Sequence, residues 1–226
     1  MKRMLIVPVV LLFLAGSAVA SPLCADEVGL SAYVANYQGF ANACSIGDKL
    51  FYDFTFNGNF GSQVQVLPDP GDGLTNPGLS FSSGFFAVDP GQSLDVTLTF
   101  KVATLSGSAL MEDYSLSIAG GNYDTTSAGV GTVTESFSNP SGTSLLASFG
   151  PGAAHINSAH TEFTPFISGT TVTTHIQLSD PRGSSDIVEI SDIQEHFSEQ
   201  IPEPYETVLI GSGLLLLGLR RRRVKR

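Results

Sequence analysis

The run Leu94-Asp95-Val96-Thr97-Leu98-Thr99-Phe100-Lys101-Val102 alternates without a break, with Leu, Val, Leu, Phe and Val on one side and Asp, Thr, Thr and Lys on the other. A period of two is that of a strand with one face buried and one face wet. Tyr114, Leu116 and Ile118 alternate with Ser115 and Ser117 in the same way, and Val172, Thr174, Ile176 and Leu178 alternate with Thr171, Thr173, His175 and Gln177. Further short β-rich runs predict strands over 49–56, 62–67, 84–88, 130–137, 144–149, 162–167 and 187–193. One segment differs: over 26–37, Val28, Leu30, Tyr33, Val34 and Tyr37 recur at spacings of three and four, which predicts a short amphipathic helix that Gly39 can end.

The turns between these runs have identifiable causes. Pro68-Asp69-Pro70-Gly71-Asp72-Gly73, Asn76-Pro77-Gly78, Asp89-Pro90-Gly91, Gly120-Gly121-Asn122, Asn139-Pro140-Ser141-Gly142 and Gly150-Pro151-Gly152 combine a preset φ with positions that accept φ > 0. About nine or ten short strands, most with one apolar face, predict two antiparallel sheets packed face to face. The expected fold is mainly β: an antiparallel β-sandwich with a short N-terminal helix, a closed barrel being the second choice. No exact repeat or low-complexity tract divides the body, which reads as one domain over 21–197.

The distribution of charge adds what the hydrophobic pattern lacks. Of the eleven basic residues among the 226, eight lie at the two ends: Lys2, Arg3, Arg220, Arg221, Arg222, Arg223, Lys225 and Arg226. Between Ser21 and Glu206, three cations face 21 carboxylates, a charge of −18. A body of that sign repels nucleic acid and anionic lipid, so neither is expected as a partner of its surface.

At the N-terminus, Lys2 and Arg3 precede an apolar run over 4–14, and Ala18-Val19-Ala20 offers small side chains to a signal peptidase. Residues 1–20 therefore read as a cleavable secretory signal, with Ser21 the first mature residue. Leu23 rather than Gly or Ala precedes Cys24, which argues against lipidation there. At the other end Pro202-Glu203-Pro204 precedes an apolar segment over 207–219 and a basic stop, Arg220, Arg221, Arg222 and Arg223, within a tail running to Arg226. Thirteen helical residues reach about 20 Å against a hydrocarbon core of ~30 Å, so the segment predicts a short, marginal transmembrane helix. Flanking positive charge stays cytoplasmic, which places the body outside the inner membrane.

Motif, apolar helix and Arg-rich end, in this order, resemble the PEP-CTERM sorting signal, with Pro202, Glu203 and Pro204 as its motif and 198–226 as its extent. The two prolines fix φ and bias Ile201 and Glu203 away from helix, presenting an extended segment of the kind protease clefts accept. The resemblance implies an exported bacterial protein held transiently in the inner membrane. It also implies recognition by exosortase, a membrane cysteine protease of bacteria that export extracellular polysaccharide, with cleavage near the motif and delivery to the cell surface or matrix. Signal peptidase and exosortase are then the processing partners, and extracellular polysaccharide is a neighbour the body would meet. The stretch from Cys44 to Phe54, followed by Asn76 to Phe81, is similar to a recurrent pattern in exported PEP-CTERM proteins of unknown function.

Little in the body points to chemistry. Cys24 and Cys44 are the only cysteines, and in an oxidising compartment they are expected to form a disulfide; two free thiols or half of a metal site are the alternatives. No Gly-x-Ser-x-Gly elbow, His-Glu-x-x-His helix, phosphate-binding loop or EF-hand loop is present, so the chain is not expected to be an enzyme, and no cofactor is implied. His155 and His160 are spaced by five, wrong for a helical zinc pair, and read with His175 as scattered surface histidines; His196 reads as a solvated linker residue. The neighbouring acids Glu112 and Asp113 carry no weight among 21 carboxylates. Asp69 and Asp72 are weak calcium candidates, since turn formation already accounts for them. The alternative to a sorted surface protein is a carbohydrate-binding or calcium-binding β-sandwich module. It would be favoured by Tyr52, Tyr114 or Tyr123 exposed beside carboxylates in a groove.

Overall fold

The computed structural model describes residues 21–71, 76–119, 129–150, 156–181 and 187–199. The signal over 1–20, the sorting motif, the apolar segment 207–219 and the basic stop all lie outside the described residues. Among the described residues no helix is long and apolar enough to cross a membrane.

In chain order the elements are β1 (Val28–Gly29), α1 (Leu30–Asn36), a 3-10 turn at Phe40–Asn42, β2 (Cys44–Ile46), β3 (Lys49–Phe56), β4 (Gln65–Asp69), β5 (Gly78–Ser82), β6 (Ala87–Val88) and β7 (Ser93–Thr104). The second half holds β8 (Met111–Ala119), β9 (Val130–Phe137), β10 (Ser144–Phe149), β11 (Ser158–Ile167), β12 (Gly169–Ser179), β13 (Val188–Glu189) and β14 (Asp192–Glu199). One six-stranded sheet has the order β1-β4-β5-β14-β8-β11 and the other β10-β9-β12-β7-β3-β2, while β13 and β6 form a small ribbon. Each large sheet ends in edge strands that pair on one side only, so the second choice of a closed barrel is excluded and the architecture is the antiparallel sandwich.

Alternation decides which face is buried. Val96, Leu98, Phe100 and Val102 of β7 and Val172, Ile176 and Leu178 of β12 point inward, toward Leu116 of β8 and Ile193 and Phe197 of β14. Phe100 joins the layers: its ring lies 5.5 Å from Phe54 and 6.1 Å from Phe51 in its own sheet, and 6.1 Å from Phe81 and 6.5 Å from Phe197 in the other. Rings at these separations add to the area term of burial.

Several local expectations change. A β-bulge interrupts β3 between Tyr52 and Thr55, with Asp53 at φ +56°, so Phe51 and Phe54 both face the core instead of falling on opposite faces. The unusual backbone is held from three sides: Asp53 donates its N–H to the Tyr37 carbonyl at 2.7 Å, and its carboxylate accepts from the Gly39 N–H at 2.6 Å and from Lys101 Nζ at 2.8 Å. The helix is shorter than predicted, because Glu27 sits at φ +50° and Val28–Gly29 pair with β4 before the helix begins. The run 187–193 is two elements rather than one: β13 stops at Glu189, and β14 starts at Asp192 in the large sheet.

The body also reaches further than 197. Ser198 and Glu199 belong to β14, and Glu199 accepts from Lys49 Nζ at 3.0 Å, with Asp48 on the same nitrogen at 2.5 Å. Lys49 is fully buried, so this clasp joins the end of one sheet to the start of a strand in the other. Cys24 and Cys44 form the expected disulfide, with Cα atoms 4.7 Å apart, which pins the N-terminal segment beside β2.

Candidate functional site

Four inward side chains form a polar cluster where an apolar core would be expected. Glu135 of β9 and Thr174 of β12 are directly paired across neighbouring strands, while Glu195 of β14 and Tyr114 of β8 come from the facing sheet. All four are fully buried. The strand period places them: Val133, Glu135 and Phe137 share one face of β9, and Ile193, Glu195 and Phe197 share one face of β14. The Thr174 hydroxyl donates to Glu195 Oε1 at 2.9 Å and lies 3.4 Å from Glu135 Oε1, while among the described residues the second oxygen of each carboxyl and the Tyr114 hydroxyl have no hydrogen-bond partner. The Tyr114 ring meets Phe137 and Phe197, each at 4.8 Å, which walls the cluster with aromatic carbon.

Burial dominates the chemistry of this pair. Desolvation, above all, pushes Glu195 up to about 7 and Glu135 well above the ordinary carboxyl range, the proximity of Glu195 adding to the second effect. Tyr114 is pushed up by burial first and by the two glutamates next. Neither described lysine is at hand, since Lys49 is held by Asp48 and Glu199 and Lys101 by Asp53. The pair must therefore be neutralised by protons: a protonated Glu135 can donate to Thr174, which donates onward to Glu195. With no solvent-exposed surface the cluster offers nothing to a substrate; its consequences are for stability.

Outside, the two sheets carry different polar faces. On the β7 sheet, Thr55, Thr99, Thr173, Ser136 and Ser144 line up across five strands in one register. His175 lies 2.6 Å from Asp95, which is held below the usual carboxylate range by the hydrogen bonds from His175 and Gln177. On the β14 sheet, His160 lies 3.3 Å from Asp113, and His196 lies 3.0 Å from Asp69. His160 and His175 thus sit on opposite outer faces and share no site, while His155 lies outside the described residues. His196 is not a linker residue: it is a half-buried member of β14 that reaches Asp69 across Gly78, the residue between them in register.

The predicted site residues divide similarly. Asp69 Oδ1 accepts from the Gly71 N–H at 2.8 Å and Oδ2 meets His196; burial opposes ionisation of Asp69, but these bonds outweigh it and hold its carboxyl below the usual range. Asp72 and Tyr123 lie outside the described residues. Among the described residues no group of three or more His, Cys, Asp or Glu side chains is placed to hold a metal. Tyr114 is core, not surface. Tyr52 is half-buried beside Asp53, with Lys101 Nζ 5.8 Å above its ring and Phe40 edge-on at 5.5 Å, so the protein's own groups occupy its faces.

A cavity of about 310 Å³ opens at one end of the sandwich, and nothing in the hydrophobic pattern announces it. Ser31 and Val34 of α1 line it with Phe56 of β3 and Gly58, Asn59, Gly61 and Ser62 of the following loop. None of these residues is charged. Phe60 packs edge-on against Phe56 at 5.3 Å and stacks on Phe85 at 6.1 Å with an interplanar angle of 21°. Phe85 is 54% exposed.

No family model matches the chain, and no curated protein matches it. Among solved structures it is similar to TmCBM61 in complex with beta-1,4-galactotriose, at 11% identity over 65% of this chain and 84% of that chain, with a TM-score of 0.28. It is also similar to a structure from work on the promiscuous specificity of carbohydrate-binding modules of the beta-sandwich superfamily, at 9% identity over 80% of this chain and 62% of that one, with a TM-score of 0.19. At such scores neither likeness carries an argument about this chain.

Proposed function

We propose that this is an exported bacterial surface or matrix protein, sent out by a cleavable N-terminal signal and sorted by exosortase through its C-terminal PEP-CTERM signal. One observation carries the reading: Pro202-Glu203-Pro204, the apolar segment 207–219 and the arginine run Arg220 to Arg223 follow one another in that order. A sandwich stapled by Cys24 and Cys44 supports it, because disulfides persist in oxidising compartments. Intact-mass measurement of the natively exported protein tests it. Loss of residues 1–20 and of the chain beyond the motif is expected, whereas an intact C-terminus throughout the mature pool would refute sorting by cleavage.

A second reading, a carbohydrate-binding body, is favoured by the uncharged cleft walled by Phe56. The calcium alternative has less support, because both carboxylate oxygens of Asp69 already have partners.

A further inference from the structure

Strand β14 ends just short of the sorting motif, and the fold holds its last residue from across the sandwich. Glu199 closes the strand and Pro202 follows three residues later, so the motif begins at most about 11 Å from the folded body, whatever path the chain takes between them. A protease cleft that seats its substrate as an extended segment also needs room on the amino side of the motif. Gln200 and Ile201 are the whole of the chain between β14 and Pro202.

The way β14 ends shows what sets this boundary. Over Asp192–His196 the strand is paired on both sides, with β5 and with β8, and the Phe197 N–H donates to the Pro77 carbonyl at 3.0 Å. Ser198 and Glu199 pair with β8 alone, and a register shift falls between them. A strand end with one neighbour and an interrupted ladder is the part of a sheet that opens first. Lys49 counters that tendency: it is fully buried at the first position of β3, in the other sheet, and its Nζ lies 3.0 Å from Glu199 and 2.5 Å from Asp48. Withdrawing Glu199 would leave a buried ammonium with one carboxylate instead of two, which is costly. Peeling beyond that point stops at Phe197, fully buried against Phe51, Phe100 and Tyr114 at ring distances of 6.0, 6.5 and 4.8 Å. Opening thus frees two residues, Ser198 and Glu199, and lengthens the reach from the fold to Pro202 from about 11 Å to about 18 Å.

We infer that the Lys49 clasp governs cleavage at the sorting motif: while Glu199 is held, the sandwich stands too close for a protease to take the amino side of the motif, and cutting proceeds from the state in which Ser198 and Glu199 have left β8. This rests on the sorting reading and adds to it a brake supplied by the substrate's own fold. Where opening and reclosing are fast compared with cutting, the rate follows the population of the open state.

Pulse-chase of the full-length precursor in its native host, with intact mass locating the cut, tests the inference. Lys49→Met should raise the rate of C-terminal processing about tenfold. Glu199→Gln, which removes a charge and keeps the shape, should act in the same direction and carries the comparison where Lys49→Met folds poorly. Inserting about eight Gly and Ser residues between Gln200 and Ile201 leaves β14 and its clasp untouched. The spacer should speed processing of the otherwise wild-type chain about as much, and Lys49→Met should then add nothing. A wild-type C-terminus that is never removed overturns the sorting reading and the brake with it. Removal at one rate in wild type, both substitutions and the spacer variant overturns the brake and leaves sorting intact. Faster processing of Lys49→Met to the same extent with and without the spacer also overturns it, because that result belongs to a loosened body and not to distance.

Discussion

Replacing Glu195 by glutamine isolates what the buried pair does. A carboxyl that titrates at 4.5 when unfolded and at about 7 when folded costs about 3 kcal/mol of stability once both states are ionised. The sign follows from proton binding: between those two values the native state holds more protons than the unfolded one, so stability is fullest below pH 4.5 and falls as pH rises through 7. Glu135 is raised in the same direction, by burial first and by the nearby Glu195 next, and adds to the decline. Tyr114, Glu135 and Thr174 are the polar groups that face Glu195, and none of them brings a positive charge. Glutamine keeps the shape, removes one ionisable group and relieves its repulsion on Glu135. Urea unfolding at intervals from pH 5 to 9 should show the wild-type midpoint falling steadily and the Glu195→Gln midpoint falling much less, so that the variant is the more stable protein at pH 8 by about 3 kcal/mol. The difference between the two proteins at each pH separates the pair from every other titrating group. Parallel curves, or a variant less stable at every pH, would refute the assignment of a proton-held core.

Gly78→Ala should cost about 1–3 kcal/mol, because its Cβ would stand 2.0 Å from the Glu195 carbonyl oxygen and 2.7 Å from the His196 ring; a wild-type urea midpoint would count against the close approach of β5 and β14. Lys49→Met should destabilise by about 2 kcal/mol, somewhat below the usual loss for a fully buried pair because Asp48 and Glu199 retain about a fifth of their exposure. A fully neutral melting curve for Lys49→Met would show that the clasp between the sheets contributes nothing. Replacing Cys24 and Cys44 together by serine should cost about 2–4 kcal/mol for a bridge spanning 20 residues, read as a lower melting temperature of the variant and of the reduced wild type alike.

The strands legible in the sequence are those with one wet face. The predicted spans 49–56, 130–137 and 144–149 coincide with β3, β9 and β10, and the alternating core of β7 and of β12 lies inside the observed strands, because period two survives wherever solvent lies on one side. β14 was hidden for the opposite reason: its inward residues are Ile193, Glu195 and Phe197, and a glutamate at a core position breaks the binary pattern. The same substitution conceals the buried cluster, since Glu135 within 130–137 reads as a solvent-facing residue until the facing sheet is known. β5 is short and opens on Gly78, whose lack of a side chain matters only once His196 crosses over it. The bulge at Asp53 left no local glycine to mark it; its positive φ is stabilised by Lys101 and Gly39, partners distant in the chain.

The cleft was missed for a reason of another kind. Reading aromatic residues on strands directs the search for a sugar platform to tyrosines, yet Tyr114 faces the core and Tyr52 is covered by Lys101. Phenylalanine is assigned to the interior by default, which holds for Phe51, Phe54, Phe81, Phe100 and Phe197. Phe85 escapes it because it lies on the loop before β6, and its ring is 54% exposed. Its stacking on Phe60 joins two loops distant in sequence, so the contact exists only in the folded chain.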